Sequence, residues 1–437
     1  MDLEKEILQS VDVGLWEDHG NIHHHHKGKY KKSFRRWGHV ACVFGGHMYV
    51  FGGEIDTNST DVPHSIYKIC LEDLMNNLWI VVNSHSKGFD FRGRDSLSSV
   101  VVDRKWILLF GNSLKTSISE IVIFDFLTQN VTRFNPKRTP IPREAHASAL
   151  IHKRFIVSYG GVTVSRKRNV EIDRGHKLSV WDLKEESFVD IRDDVIVNGK
   201  VFRPRKNHSM TEVGGQLAVF GGSTVGSINK TNPEDLLSDM FLVRIDFFRH
   251  VNQKVKVDDP FFVSITDDTY AKASFLRVNY EGPRVQIHSH TANLVGNDLL
   301  VFTCGEVVIR DGSRQRVVCN THVYGYSISH NSLFDIQTFA EKIPKRICST
   351  SVGYLNATFI YGGFNNHKKS LNTISVLTFN FQDPSVFLRA YSVDGTPADQ
   401  MDDHELGYKR LLYGMNRKND IVNSRYGRRL FEKNQVL

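Results

Sequence analysis

The sequence predicts an all-β fold of six repeated units, each of four antiparallel strands, on three observations. An apolar strand that runs into paired glycines returns along the chain. A short Gly- or Asn-containing link precedes that strand, and an arginine opens each copy. Finally, the copies recur at a nearly constant spacing, and internal repetition of this length decides an architecture before any side-chain chemistry is considered.

The apolar strands read MYVFGG at Met48–Gly53, FIVSYGG at Phe155–Gly161, LAVFGG at Leu217–Gly222 and TFIYGG at Thr358–Gly363. Weaker copies read ILLFGN at Ile107–Asn112 and LLVFTCG at Leu299–Gly305. The last residues of the motifs fall at 53, 112, 161, 222, 305 and 363, in steps of 59, 49, 61, 83 and 58 residues. A unit of roughly 50 residues is what a four-stranded sheet with its turns requires, and a helical or leucine-rich solenoid would be shorter.

Within a copy the order of elements is constant. In the first, Arg35-Arg36-Trp37-Gly38-His39 leads into a strand at Val40–Phe44, followed by Gly45-Gly46 and the strand Met48–Gly53. A third strand is expected at Ser65–Ile69 and a fourth at Leu78–Val82, with Trp79 in it. Alternating β-branched and aromatic residues bounded by Gly and Asn support strands at each step. Gly45-Gly46, Gly214-Gly215 and Gly296-Asn297 suit tight hairpins, because such turns need positive φ.

These elements resemble the kelch-repeat family of β-propellers over about residues 36–391. The resemblance rests on an Arg-x-x-His-like start (Arg36 to His39, Arg143 to His146, Arg205 to His208, and Arg284 to His288 with one extra residue), on the glycine-pair strand, and on an aromatic in the fourth strand such as Trp79, Phe134 or Phe188. The second copy has Gly111-Asn112 and no His, the fifth has Thr303-Cys304-Gly305, and the sixth starts at Lys345-Arg346 without His. The resemblance implies a six-bladed propeller with blades at about 36–91, 92–141, 142–202, 203–282, 283–342 and 343–391. Closing the ring takes a strand from one chain end, either Val11–Trp16 or Val386–Tyr391, since an open edge strand invites aggregation. The fourth copy is the longest. Asp239–Asp246 is its expected third strand, with Phe261–Ile265 and Ser274–Val278 competing for the fourth.

The segments 1–35 and 392–437 flank the repeats. Residues 1–26 hold six acids against one lysine, and 27–36 hold six bases and no acid. Residues 392–407 hold five acids and no base, and 408–437 hold eight bases against two acids. A loose helix pattern (Leu406, Leu411, Leu412, Met415) in the last segment is weakened by Gly407 and Gly414. The basic run Lys27–Arg36 reads as a solvated linker, with an anionic ligand or nucleic acid as the competing use. His23–His26, with His19 nearby, has imidazole donors but no spaced partners. No metal, cofactor or catalytic residue is assigned.

No stretch approaches the roughly 20 apolar residues of a membrane span, and the acidic N-terminus is unlike a secretory signal. The cytoplasm is the expected compartment, with the nucleus as the other. Five cysteines, none in a CxxC, are expected to be reduced and mostly buried. P-loop, Gly-x-Ser-x-Gly, His-Glu-x-x-His and Rossmann patterns are missing from suitable contexts, and the chain is read as non-catalytic.

The candidate binding residues are the blade-opening arginines Arg36, Arg94, Arg143, Arg205, Arg284 and Arg346. Equivalent positions in a propeller form one ring, and a ring of guanidiniums suits carboxylates. The competing reading ties blades together through backbone carbonyls. The recurrent histidines are expected to pack between blades, hydrogen-bonded to backbone. What the resemblance implies is a protein-interaction module, a scaffold or substrate-recruiting adaptor working through loops on one face. Its expected partners are proteins, including an acidic peptide or a ubiquitin-ligase component. The segment ahead of the first copy is too short for the BTB-type domain of many relatives, so a ligase would have to dock on 392–437.

Overall fold

The computed structural model describes residues 35–379, apart from 56–64, 72–73, 75–78, 83–93, 114–115, 135–140, 166–169, 173–177, 195–203, 225–231, 250–252, 256–268, 337–344, 355–356 and 372. Both proposed closing strands, the His run, most of the basic run and the C-terminal segment lie outside the described residues.

The described chain is all-β, with one short 3-10 turn at Pro233–Asp235. The first unit is an antiparallel sheet of Trp37–Phe44, His47–Glu54, Ile66–Cys70 and Ile80–Val82 in sequence order. The second repeats this with Ser98–Val102, Lys105–Leu109, Ile121–Asp125 and Val131–Phe134. The fifth has Thr291–Val295, Leu299–Thr303, Val323–Ser327 and Ser332–Ile336. The sixth shows three strands, Thr350–Tyr354, Ala357–Tyr361 and Ile374–Thr378.

The third and fourth units share one nine-stranded sheet. Ser187–Asp194, the last strand of the third unit, pairs in parallel with Thr269–Val278 of the fourth, Asp190 opposite Tyr270. Thr269–Val278 also pairs antiparallel with Met240–Arg249 over ten residues. Of the two segments competing for the fourth strand, the one containing Ser274–Val278 holds it, and Phe261–Ile265 lies outside the described residues.

Apolar residues alternate along the strands and bury both faces, so each core lies between neighbouring units. Phe51 and Tyr49 pack with Trp106 and Phe124, Ile107 and Phe110 with Trp181, and Met48 and Tyr67 with Phe359 and Tyr361. The last cluster joins the sixth unit to the first. Trp106 and Trp181 are essentially inaccessible, and burying each indole is worth about 4–6 kcal/mol at roughly 25 cal/mol per Å².

The first strands of the units touch in cyclic order, that of the sixth against that of the first. Just ahead of or at the start of each lies one residue with φ between 52° and 65°: Gly38, Ser96, Ala145, Asn207, Ser289 and Cys348. Each donates its N–H to the carbonyl of the preceding one. The N···O distances are 2.7 Å (Ser96 to Gly38), 3.0 Å (Ala145 to Ser96), 2.9 Å (Asn207 to Ala145), 2.9 Å (Ser289 to Asn207), 3.4 Å (Cys348 to Ser289) and 3.0 Å (Gly38 to Cys348). The circle closes. Only the left-handed backbone aims N–H and C=O at opposite neighbours here, which is why five non-glycine residues accept its cost of roughly 1–2 kcal/mol each.

All five cysteines are free, and Cys42 and Cys304 alone among them are fully buried rather than most of the set.

Candidate functional site

The segments entering the first strands and those leaving the second strands meet at one end of the sheets. There a second circle of hydrogen bonds runs outside the first. The N–H of Gly53 donates to the carbonyl of Arg94 at 2.7 Å, Gly111 to Arg143 at 3.0 Å and Gly161 to Arg205 at 2.9 Å. Gly222 donates to Ile287, Gly305 to Arg346 and Gly363 to Arg36, each at 2.8 Å. The glycine pair thus holds the next unit through its second member. Two pairs lack a first glycine, yet Phe110 (φ 54°) and Cys304 (φ 62°) keep the same backbone. In the second copy the motif therefore ends at Gly111, not Asn112.

Five of the six candidate arginines stand in this wall. Arg36, Arg205 and Arg346 are fully buried, and Arg94 and Arg143 nearly so. Arg36, Arg143, Arg205 and Arg346 each donate to the carbonyl of the first glycine of their own unit: Gly52, Gly160, Gly221 and Gly362, at 3.0–3.4 Å. Arg205 also forks onto Asp239 at 2.8 and 3.3 Å, and Arg346 donates to the Thr373 carbonyl and to the hydroxyls of Thr373 and Ser375. Arg94 is paired with Glu120, which also takes Arg133. Burial lowers Arg94 and Arg143 to about 10, so both stay cationic at neutral pH.

Arg284 is the exception. It is exposed and its guanidinium lies 4.1 Å over the Tyr280 ring. The wall position of the fifth unit belongs to Ile287. The sequence match Arg284 to His288 was therefore out of register, and the histidine equivalent to His39, His146 and His208 is His290. Residue type misled here because the circle uses a backbone carbonyl, which any side chain supplies.

The four histidines pack between units, as expected, but the partners of three of them are hydroxyls and not backbone. His39 Nε2 is 2.8 Å from Thr350 Oγ1, His146 Nε2 is 2.7 Å from Ser98 Oγ, and His290 Nε2 is 2.9 Å from Ser209 Oγ. Each ring also sits edge-on or tilted against an aromatic of the preceding unit: Tyr361, Phe110, Tyr159 and Phe220. For His208 the preceding unit offers Ala147 where the others offer Ser or Thr, and neither nitrogen of His208 has a hydrogen-bond partner. Ala147→Ser is expected to supply one and to stabilise the protein by about 1 kcal/mol. Urea unfolding measures it, and a midpoint no higher than that of the parent protein rules the pairing out.

One residue beyond the wall the same two segments pair again, and this end of the sheets forms a rim. Trp37, Asp95, Glu144, Lys206, His288 and Ile347 pair there with Glu54, Asn112, Val162, Ser223, Glu306 and Phe364. Within these six pairs Glu54, Asp95, Glu144 and Glu306 stand with one lysine, Lys206. Asp95 is buried and its carboxyl is raised to about 6 by that burial, against hydrogen bonds with Ser96 and Glu54 that pull it down. His288 Nε2 is 2.9 Å from Glu306 Oε2, and Trp37 meets Phe364 edge-on at 5.5 Å. The sequence named Trp37, Asn112 and His288 only as parts of other motifs and did not group these residues together. Their only signal is a fixed offset of one from each wall position. Among the described residues no group of three His, Cys, Asp or Glu side chains could hold a metal ion, and no helix is long and apolar enough to cross a membrane.

Comparison with known proteins agrees with this geometry. Residues 25–161 match the model of the KLHDC2/KLHL20/DRC7 Kelch-repeats domain. Rho GTPase-activating protein gacHH of Dictyostelium discoideum is 28% identical over 137 residues, which is 29% of this chain and 8% of that much longer protein. The solved structure of YjhT, a kelch-type propeller, aligns with a TM-score of 0.54 at 11% identity, covering 80% of this chain and 96% of that one. The glycine-pair strands Met48–Gly53, Ile107–Asn112 and Phe155–Gly161 lie within the residues that match the family model.

Proposed function

We propose that the chain is a non-catalytic six-bladed kelch-type propeller, four strands to a blade, whose rim face holds protein partners as a scaffold or substrate-recruiting adaptor. One observation carries this reading. The links between first and second strands are two or three residues long, whereas those from second to third strands run from 11 to 19 residues. The long links all leave from the rim end. They include the hairpins Thr163–Ser165 with Val170–Ile172 and Glu306–Asp311 with Arg314–Cys319. Variable segments on a rigid frame are where recognition resides.

The test replaces residues 308–317 by a two-residue turn and compares co-purified partners with those of a Leu127→Ser variant altered at an exposed position at the opposite end. Partners lost by the first and kept by the second support a rim-face module. An unchanged partner set in both removes the rim from the reading.

A further inference from the structure

The rim end of the fifth unit carries a line of hydrogen bonds that no other unit repeats among the described residues. His288 and Ser289 are neighbours in sequence, the first on the rim and the second in the first hydrogen-bonded circle. Glu306 lies opposite His288 in the strand register, and its Oε2 is 2.9 Å from His288 Nε2. The other ring nitrogen, Nδ1, is 3.2 Å from Ser289 Oγ. A carboxylate only accepts, so Nε2 carries a proton, and in the singly protonated ring Nδ1 presents its lone pair to the Ser289 hydroxyl. Acid, imidazole and hydroxyl thus stand in the order that makes a serine oxygen nucleophilic.

The other five units fill the rim position with Trp37, Asp95, Glu144, Lys206 and Ile347 and close the same circle. Packing therefore does not demand an imidazole there. Two neighbours in the circle complete the setting. Asn207, whose carbonyl takes the Ser289 N–H at 2.9 Å, has a side-chain amide with no hydrogen-bond partner among the described residues, and it is free to donate to a developing oxyanion. Cys348, whose N–H goes to the Ser289 carbonyl, is also hydrogen-bonded to the Ser289 side chain, and burial pushes its thiol up to about 12. It stays protonated at neutral pH and is not the competing nucleophile.

We propose that Ser289 is a covalent acceptor that takes the acyl group of a small, uncharged ester, with His288 as general base and Glu306 holding the ring. Ser289 Oγ attacks the carbonyl carbon while its proton passes to His288 Nδ1. The Oγ–C bond forms, the bond from carbon to the leaving oxygen breaks, and Nδ1 returns the proton to that oxygen. An alcohol departs, and nothing is oxidised or reduced. Size is limited by the serine, which is 9% exposed. Charge is limited by the carboxylates of Glu306 and Asp95, whose fields both reach the neighbouring Cys348 and repel phosphate-bearing donors. The transfer consumes the serine once, so it stands apart from the partner-binding reading of the rim and does not rest on it.

The probe is p-nitrophenyl acetate, applied to the full chain at neutral pH, with acetylation located by mass spectrometry. Ser289 is expected to be acetylated faster than Ser313, an exposed serine of the same unit with no imidazole hydrogen-bonded to it. His288→Gln should slow the reaction at Ser289 about a hundredfold, the usual worth of a positioned base, and leave Ser313 unchanged. Glu306→Gln, which keeps an acceptor for Nε2–H but removes the charge, should slow Ser289 severalfold. The variety of residues at these positions in the other units shows that the fold tolerates both changes, which circular dichroism verifies. Ser289 reacting no faster than Ser313 in the unaltered chain overturns the proposal. So does a rate that His288→Gln leaves unaltered, or an acetyl group found on Cys348 in place of Ser289.

Discussion

Gly160→Ala is expected to cost about 2–5 kcal/mol, a large part of the stability of a typical domain. The Cβ would lie 2.4 Å from His208 Cε1 and 2.6 Å from the Arg205 carbonyl oxygen, at a φ of +70°. The left-handed backbone contributes roughly 1–2 kcal/mol. Overpacking adds about 1–3 kcal/mol, since the oxygen belongs to backbone held by the second hydrogen-bonded circle and cannot yield. Gly214 is the matched control. It has a similar φ of +56°, but nothing stands within 4 Å of its added Cβ, so Gly214→Ala should cost only about 1 kcal/mol. Urea unfolding of both variants decides the matter. Equal losses would mean that close approach between units is not what the glycine pairs provide.

Acid should unfold the protein well before its ordinary carboxylates titrate. Burial holds His39, His146 and His208 well below the usual value of 6.5, with Arg36, Arg143 and Arg205 adding to the effect, and it lowers His290 to about 3. Once unfolded, these imidazoles take up protons near 6.5; folded, they do not. The unfolded state therefore binds more protons below 6.5, and stability present above that pH is lost as pH falls. Each histidine contributes about 1.4 kcal/mol per pH unit. Asp95 works the other way: raised to about 6 by burial, it is protonated first in the folded state and gives back the equivalent of one proton below that pH. The net loss is about 4 kcal/mol per unit below pH 6, against a typical total of roughly 5–15 kcal/mol. The slope of unfolding free energy between pH 6.5 and 5 measures it. A flat profile, or a slope that His290→Gln leaves unaltered, would contradict this account.

Much of the fold was readable because the second hydrogen-bonded circle takes a glycine N–H from every unit, whereas the first uses glycine only at Gly38. Gly53, Gly161, Gly222 and Gly363 sit where a Cβ would strike backbone within 2.8 Å, so selection on shape left a visible mark. The same marks fade where another residue tolerates the conformation, as at Phe110 and Cys304, and the motif was accordingly weakest in the second and fifth copies. Arg284 was chosen by type, whereas Ile287 does the backbone work. The parallel pairing of Ser187–Asp194 with Thr269–Val278 left no local pattern at all, because it joins strands about 80 residues apart. The rim was not assembled for a different reason: Asp95, Glu144, Lys206 and His288 share a position but differ in residue type, and His288 was read as an interior histidine.

The circles also order events in time. Gly38 takes its carbonyl from Cys348, the Arg36 carbonyl takes its N–H from Gly363, and His39 finds its hydroxyl on Thr350. The unit that leaves the ribosome first is therefore the last to be completed, waiting some 310 residues for the strands that satisfy it. Closure over such a separation adds little entropy per extra residue, but it makes assembly slow and exposes the first unit's unpaired groups meanwhile. A chain stopped short of the sixth unit would lose more than that unit. It would leave Gly38 and Arg36 open as an adhesive edge, and truncation from the C-terminal side should damage the N-terminal unit first.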